Sequence, residues 1–495
     1  MLKLRPYEFW FVTGSQHLYG EEAIQEVERH SVEMVTGLNE KGNFPSKIIF
    51  KSVLTNASDI HKLMLEANAD ENCAGLITWM HTFSPAKMWI AGLDALKKPL
   101  LHLHTQYNRD IPWESIDMDF MNLNQSAHGD REFGFMVTRL KVPRKVVVGY
   151  WQDTETNSKI SGWMQTAVAF TEGTNVRVAR FGDNMRNVAV TDGDKVEAQI
   201  KFGWTVDYYG IGDLASEIAL ISEEEVDKLY DTYNELYELP IEANEPGNVR
   251  NSIRGQARIE LGLKSFLSKG NYNAFTTNFE DLYGIEQLPG LAVQRLMAEG
   301  YGFAGEGDWR TAALLRVMKV ISDNKGTSFM EDYTYHFEQG NEMILGSHML
   351  EVCPTISATK PRIVVNPLSM GDRKDPARLV FDGRGGDAIA ASLVEMGGRY
   401  RLVINEVKAE QPEIDTPNLP VAKVLWKPEP SLAESAEAWI YAGGAHHTVF
   451  SFEVTTEQLY DFADMAKIEC VVIDKDTNLR QFRNELNWNE VVWRR

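Results

Sequence analysis

The fold of this chain is decided early, by the stretch EFWFVTGSQHLYG at residues 8–20. Its first seven residues are mostly apolar and end in Gly14, which is typical of a strand buried on both faces. Residues 21–38 follow with apolar side chains at helical spacing. A buried strand, a polar turn and an amphipathic helix in this order predict an α/β unit built on a parallel sheet.

The same alternation continues through the first two thirds of the chain. Strand-like runs recur at 47–53, 74–79, 100–104, 145–150, 176–181 and 274–278, and helical patterns include 223–239, 249–268 and 308–322. Beyond Lys325 strand candidates dominate, at 327–337, 362–366, 377–381, 400–407 and 422–426, before a helix at 456–467. We therefore predict three domains: two Rossmann-like α/β domains with parallel sheets at 1–174 and 175–325, and a mainly β C-terminal domain at 326–495.

Composition narrows the class of protein. The formal net charge is −21 over 495 residues, which argues against a nucleic-acid phosphate backbone as partner. No run approaches the ~20 apolar residues of a membrane span, and the N-terminus lacks the apolar core of a signal peptide. The cysteines are three, widely spaced and in apolar settings, which is typical of reduced thiols: Cys73, Cys353 and Cys470. We expect a cytoplasmic protein with no nucleic-acid or membrane partner.

The loop at residues 14–20 lies where a parallel sheet binds ligands, beyond the carboxyl end of a strand. It lacks the spaced glycines of a dinucleotide fingerprint. Its polar side chains can face a polar small molecule, and a plain turn capped by Ser15 explains them equally well.

Five ionisable residues in the last third stand among apolar and glycine neighbours. They are Glu306 in GFAGEG (302–307), Glu331 in TSFMEDY (327–333), His348 in ILGSHML (344–350), and His446 and His447 in AGGAHHTV (442–449). Burying a charge is costly unless it is paired or bound to metal, so together they indicate a divalent-metal site. Taken singly, each has an ordinary structural explanation, and their spacing forms no local motif.

Carboxylates and imidazoles suit a hard or borderline divalent ion and can also transfer protons. Such a set permits aldose–ketose isomerisation through an ene-diol, and it equally permits activation of water for hydrolysis. The adjacent histidines leave a second alternative open. On a strand they would point to opposite faces, whereas in a loop both could face the site.

A resemblance narrows these alternatives. The segments WFVTGSQHLYG (10–20), HTFSPAKMW (81–89), DMDFMNLNQ (117–125) and RFGDNMR (180–186), with those around the five ionisable residues, resemble the L-arabinose isomerase family nearly end to end. The resemblance implies a fucose-isomerase-like fold. It implies conversion of L-arabinose to L-ribulose, and of D-galactose to D-tagatose, by metal-assisted proton transfer in arabinose catabolism, a branch of carbohydrate metabolism.

The resemblance also implies roles for particular residues. It places one Mn²⁺, with Co²⁺ or Mg²⁺ as alternatives, on Glu306, Glu331, His348 and His447, and makes Glu306 and Glu331 the catalytic acid/base pair. It implies substrate contacts at Gln16, Leu18, Phe83, Gln125, His128, Met185, Phe279, Leu345 and His446. A plain core position is the alternative for Leu18, Phe83 and Met185.

The family implies a homohexamer whose sites are completed by the N-terminal domain of a neighbouring subunit. Two other functions compete with this one. One is an aldose–ketose isomerase acting on L-fucose, and the other is a metal-independent sugar-binding protein on the same α/β frame.

Overall fold

A computed structural model describes residues 2–368, 373–412 and 416–493. The chain divides into two compact units. We call Lys3–Glu172 with Asp464–Lys467 the N-terminal unit, and Gly173–Ala463 with Leu2 and the chain from Ile468 onward the large unit. The further division of the large unit at residue 325 stays a prediction.

The N-terminal unit is built on a five-stranded parallel sheet with the order β2-β1-β3-β4-β5. Its strands are β1 (Glu8–Gly14), β2 (Lys47–Leu54), β3 (Cys73–Met80), β4 (Leu100–His104) and β5 (Lys145–Val148). Its helices are α1 (Gly20–Lys41), α2 (Ala57–Ala69), α3 (Ile90–Ala95), α4 (Met118–Leu123), α5 (Ser126–Arg139) and α6 (Thr154–Gly173). Every residue of β3 is buried, as expected for a strand covered on both faces.

The large unit begins with a second parallel sheet, of order β7-β6-β8-β9. Its strands are β6 (Arg177–Phe181), β7 (Thr205–Tyr209), β8 (Ala274–Thr277) and β9 (Gly302–Ala304). Its helices are α7 (Lys195–Phe202), α8 (Ile211–Ala219), α9 (Glu223–Leu236), α10 (Asn248–Lys269), α11 (Gly290–Ala298) and α12 (Trp309–Ile321). A capping box between Ser222 and Glu225 starts α9.

The rest of the large unit is mainly β. Its strands are β10 (Thr327–His336), β11 (Met343–Ser347), β12 (Arg362–Val365), β13 (Ala377–Val380), β14 (Gly386–Glu395), β15 (Tyr400–Glu410), β16 (Lys423–Pro428), β17 (His447–Ser451) and β18 (Glu469–Ile473). Its helices are α13 (Leu432–Ala442), α14 (Thr456–Ala466) and α15 (Leu479–Val492). The predicted fold class, parallel-sheet α/β followed by mainly β structure, is confirmed.

Six of these strands close into an antiparallel barrel. They pair in the order β14-β17-β10-β11-β16-β15, and β15 pairs again with β14. Strand β18 adds to β15 in parallel, and β12 pairs only with β13 among the named strands. The barrel shares one apolar core with parts of α9, α10 and α11: it includes Met330, Ile344, Ala388, Ala390, Val407, Val424, Trp426 and Phe450.

Helix α12 joins the two layers of the large unit. All thirteen of its residues are buried, because it packs on β6, β8 and β9 on one side and on β10, β14 and β17 on the other. Each of its buried cations donates a hydrogen bond to a main-chain carbonyl, which offsets part of the cost of burying the charge. Arg316 donates to the Gly300 carbonyl at 3.0 Å, and the Lys319 ammonium donates to the Thr327 carbonyl at 3.1 Å.

Two expectations from composition can be compared with the structure. None of the helices in the described part of the chain is long and apolar enough to cross a membrane. None of Cys73, Cys353 and Cys470 forms a disulfide bond, and the first two are buried.

Some elements differ from the sequence prediction. Strand β5 ends at Val148 rather than at 150, and α9 ends at Leu236 rather than at 239. Strands β7, β9, β11, β14, β17 and β18 were not predicted. Strand β14 reads GDAIAASLVE, and its alanines have low strand propensity, yet residues 388–394 are all buried in the barrel wall.

Gly346 provides a test of barrel packing. An added Cβ at this position on β11 would lie 1.9 Å from the ring of Trp426 on β16. We expect Gly346→Ala to cost about 1–3 kcal/mol through overpacking, and to lower the apparent Tm measured by calorimetry. The matched control is Gly212→Ala in α8, where a Cβ meets nothing within 4 Å and Ala is the better helix former. Equal Tm values for the two variants would contradict this packing.

Candidate metal centre

Glu306 stands in a glycine-flanked turn between β9 and α12. Its φ is +61°, in the left-handed region that residues other than glycine use sparingly. At Gly307, with φ +79°, an added Cβ would lie 2.7 Å from the Asp183 carbonyl oxygen, and one at Gly305 would lie 3.2 Å from the His348 ring. The glycines therefore let the chain turn closely at the carboxyl end of the second parallel sheet, where ligands bind in α/β folds.

The pairing of the barrel strands brings the other ionisable residues close to one another. Glu331 on β10 pairs directly with His447 on β17 and with Ser347 on β11. Residues directly opposite on antiparallel strands share a face of the sheet, so Glu331 and His447 project to the same side. His348 follows Ser347 immediately. Three neighbouring strands thus present three of the predicted residues at one place.

Two carboxylates and two imidazoles converge there. His447 Nε2 lies 3.8 Å from Glu306 Oε2 and 3.7 Å from Glu331 Oε1. His446 Nε2 lies 3.6 Å from Glu306 Oε2 and 3.8 Å from Glu331 Oε1. One ligand atom from each of these four residues falls within 4.8 Å of all the others. His446 precedes the first residue of β17, so both adjacent imidazoles reach the carboxylates, as the loop alternative required.

His348 lies at the edge of this group. Its Nε2 is 3.8 Å from Glu331 Oε2, and its Nδ1 donates to Glu351 Oε2 at 2.5 Å. The predicted ligand set of Glu306, Glu331, His348 and His447 shares three residues with the group of four described above, which has His446 in the fourth place. The choice between these two imidazoles stays a prediction.

Asp308 orients His447. Its Oδ2 accepts a hydrogen bond from His447 Nδ1 at 3.0 Å, while its Oδ1 accepts from the Thr311 amide and caps α12. His447 Nε2 is buried and has no hydrogen-bond partner in the described part of the chain. An imidazole held by a carboxylate on one nitrogen, with the other nitrogen facing two further carboxylates, fits a metal ligand. The oxygen and nitrogen donors suit Mn²⁺, Co²⁺ or Mg²⁺.

The electrostatics of the group favour charged carboxylates. Burial opposes ionisation of Glu306, but the hydrogen bond from His446 and the nearby imidazoles hold the pKa of Glu306 below its ordinary value. Burial likewise opposes ionisation of Asp308, and the hydrogen bond from His447 still lowers the pKa of Asp308. Burial alone would lower the pKa of His348, but Glu351 and Glu331 raise it to about 9. The ionised forms of the Glu306 and Asp308 carboxylates are therefore favoured, and an ionised carboxylate attracts a cation.

A cavity of about 440 Å³ adjoins the group, within the size range of small-molecule sites. Glu306, Glu331 and His348 line its polar side, and Met185 and Phe279 lie in its wall. Apolar residues that the sequence reading did not single out complete the wall: Leu282, Leu288, Pro289, Met349, Leu350 and Leu368. Leu345 is half buried on β11 and is not part of this lining, and His446 is half exposed beside the carboxylates.

The other predicted substrate contacts lie in the N-terminal unit: Gln16, Leu18, Phe83, Gln125 and His128. They follow the carboxyl ends of β1 and β3 or stand at the start of α5. Leu18 is 82% exposed, which excludes the core alternative for it. The Phe83 ring lies 4.8 Å from the His128 ring, centroid to centroid, and Tyr19 donates a hydrogen bond to Gln125 Oε1 at 3.3 Å.

Comparison with known proteins decides the family. Family models for the L-arabinose isomerase N-terminal, central and C-terminal domains match residues 3–175, 177–324 and 326–469. Proteins named L-arabinose isomerase from Geobacillus stearothermophilus and Geobacillus kaustophilus (strain HTA426) are each 68% identical, and one from Clostridium beijerinckii is 60% identical. Each of these alignments covers 100% of both chains. This chain belongs to the L-arabinose isomerase family. As a member it is an isomerase.

Sequence reasoning missed two residues of this L-arabinose isomerase family site. Asp308 and Glu351 each hold one nitrogen of an imidazole whose other nitrogen faces the carboxylates. Both left a weak signal in the sequence. Asp308 stands three residues before Thr311 at a helix start, which is a capping pattern, and Glu351 follows His348 by three residues.

Asp308→Asn tests the orienting role in this L-arabinose isomerase family member. Asn keeps the size and is a good helix cap, but it cannot supply a carboxylate to His447. We expect divalent-metal affinity to fall by about 10–100-fold, measured by Mn²⁺ titration calorimetry. The matched control is Asp323→Asn, an exposed acid just beyond the other end of α12. Unchanged Mn²⁺ affinity in folded Asp308→Asn protein would show that Asp308 does not orient His447 for metal binding.

Proposed function

We propose that this protein converts L-arabinose to L-ribulose in L-arabinose catabolism, and D-galactose to D-tagatose by the same reaction. The main observation behind this proposal is that Glu306 and Glu331 converge with imidazoles at the polar side of a cavity. The names of relatives that are 60–68% identical over the whole chain support the choice of sugar.

We infer that Glu306, Glu331, His348 and His447 hold one divalent ion, Mn²⁺ with Co²⁺ or Mg²⁺ as alternatives. The unpartnered Nε2 of buried His447 and the lowered pKa of Glu306 beside it support this inference. When bound, the ion polarises the carbonyl and the neighbouring hydroxyl oxygen of an open-chain sugar. Asp308 and Glu351 keep the two imidazoles oriented toward the carboxylates.

Glu306 and Glu331 are the acid/base pair in this proposal. One carboxylate takes the proton from C2 of the aldose and returns it to C1, and the other moves the hydroxyl proton from O2 to O1. The sugar passes through an ene-diol between the two transfers. The apolar wall of the cavity, including Met185 and Phe279, limits water near the reacting carbons.

Sugar contacts complete the proposal. His446 and Leu345 join Met185 and Phe279 in the large unit. Gln16, Leu18, Phe83, Gln125 and His128 supply contacts from the N-terminal unit of a neighbouring copy in a homohexamer. Support for this assembly comes from the family resemblance and from the exposure of Leu18 and His128. We also propose a cytoplasmic location, on the ground of the three cysteines in apolar settings.

Ketose formation after chelation tests the function. We expect EDTA-treated protein to lose turnover of L-arabinose and to regain it on addition of Mn²⁺. In D₂O the ketose should carry deuterium at C1, because a proton held on a carboxylate exchanges with solvent.

Glu331→Gln should lower kcat by about 10²-fold or more. The control is Glu338→Gln, an exposed acid just beyond the end of β10.

Three outcomes would contradict this proposal. Faster turnover of L-fucose than of L-arabinose would favour the alternative isomerase. Sugar binding without turnover, and without a metal requirement, would favour a binding protein. Absence of deuterium from C1 would argue for hydride transfer.

Mixed oligomers test the shared site. We expect Glu306→Gln protein and His128→Ala protein to be poorly active when each is alone. After they are unfolded together and reassembled, some sites receive an intact Glu306 and an intact His128 from different copies, so activity should partly return. Assay of separated mixed species measures this return. Verified mixed species without rescue would place each complete site within a single chain.

A further inference from the structure

Asp130 is a buried carboxylate in the N-terminal unit. It is far in sequence from the residues of the candidate metal centre. It stands in the second turn of α5 and is 3% exposed. The next residues on the same face of α5 are apolar, since Phe133 and Val137, three and seven residues on, are fully buried. A carboxylate in such a position is costly unless its oxygens are satisfied.

Both oxygens of Asp130 are satisfied by three donors. Oδ1 accepts from His102 Nε2 at 2.8 Å and from the Met80 amide at 3.3 Å. Oδ2 accepts from His104 Nδ1 at 2.6 Å. This hydrogen bond raises the pKa of His104, so the buried carboxylate is matched by an imidazole that more readily carries charge.

The donors come from the ends of two neighbouring strands. Met80 is the last residue of β3, and His104 is the last residue of β4. His102 and His104 are two residues apart, so they project from the same face of β4. Asp130 therefore ties α5 to the carboxyl edge of the sheet at two strands at once.

The first turn of α5 lies directly on the segment that follows β3. The Gln125 amide donates to the His81 carbonyl at 2.9 Å. A Cβ added at Gly129 would lie 2.6 Å from the Thr82 carbonyl oxygen, so the helix approaches this segment as closely as glycine permits. The His128 ring packs beside Phe83. Movement of α5 along the strand ends would displace all of these contacts.

We propose that Asp130, with His102 and His104 as its donors, is a positioning residue for sugar binding: it holds Gln125 and His128 in place against Phe83. The inference rests on the proposed function, in which those three residues contact the sugar. Asp130 is too buried to touch the sugar itself. Its effect reaches the substrate through the placement of the first turn of α5.

Steady-state kinetics of two substitutions test this role. Asp130→Ala leaves two imidazoles and one amide without their acceptor. We expect it to raise KM for L-arabinose by about tenfold or more, since small misplacements of binding groups are costly. Its kcat should change less, and its Mn²⁺ affinity should not change, because the acid/base pair and the metal ligands belong to the large unit. Asp130→Asn keeps the size and one acceptor oxygen, and should restore most of the wild-type KM.

The matched control is Glu132→Ala, the same removal of a carboxylate two residues along α5, which should leave KM unaltered. If Asp130→Ala does not fold, His104→Ala replaces it, because His104 is partly exposed and its loss removes one donor. That variant should raise KM in the same direction by a smaller factor.

The outcomes separate this inference from the proposed function. Wild-type protein that fails to isomerise any sugar overturns the proposed function, and the positioning role falls with it. Active wild-type protein together with a folded Asp130→Ala variant of unchanged KM overturns the positioning role alone. Loss of kcat and Mn²⁺ affinity in parallel with KM would show a general structural defect and would equally overturn it.

Discussion

The carboxylate of Asp308 connects α12, a helix whose residues are all buried, to the candidate metal centre. One oxygen caps α12, and the other holds His447. Since α12 is enclosed by the parallel sheet and by the barrel, the position of Asp308 follows from core packing. Glu306 stands two residues earlier, in the turn whose glycines allow close approach to Asp183 and His348. The packing of α12 in the core of this unit therefore also fixes the geometry of the candidate site.

Barrel register is the second constraint on the site. Glu331 faces His447 across β10 and β17 because those strands pair as Thr327–Ser451 through Glu331–His447. A slip of one residue would turn Glu331 to the opposite face. Closure of the barrel opposes such a slip, since β10 is held by β17 on one side and by β11 on the other. The register of these strands therefore sets the geometry of the candidate site as well as the packing of the core.

Most of the fold and much of the candidate site could be predicted from the sequence, for identifiable reasons. Parallel strands such as β3 are buried on both faces and read as continuous apolar runs. Charged residues among apolar neighbours identified Glu306, Glu331 and His447. Strand β14 was not predicted because its alanines do not favour a strand, and it forms one only by pairing with its barrel neighbours. Asp308 was not predicted as a site residue because its partner, His447, is distant in sequence. Glu351 was not predicted because its contact with His348 exists only once the turn between them has formed.

Enclosure of α12 on every side has a consequence for how this protein can vary. An ordinary surface helix offers an outer face on which substitutions are nearly neutral, but α12 has no such face. A change at any of its thirteen positions alters the contacts of both the sheet and the barrel, and through Asp308 it can shift the imidazole of His447. Mutational tolerance should therefore be low along this helix, even at positions remote from the cavity, and engineered stability is better sought on exposed faces such as that of α8.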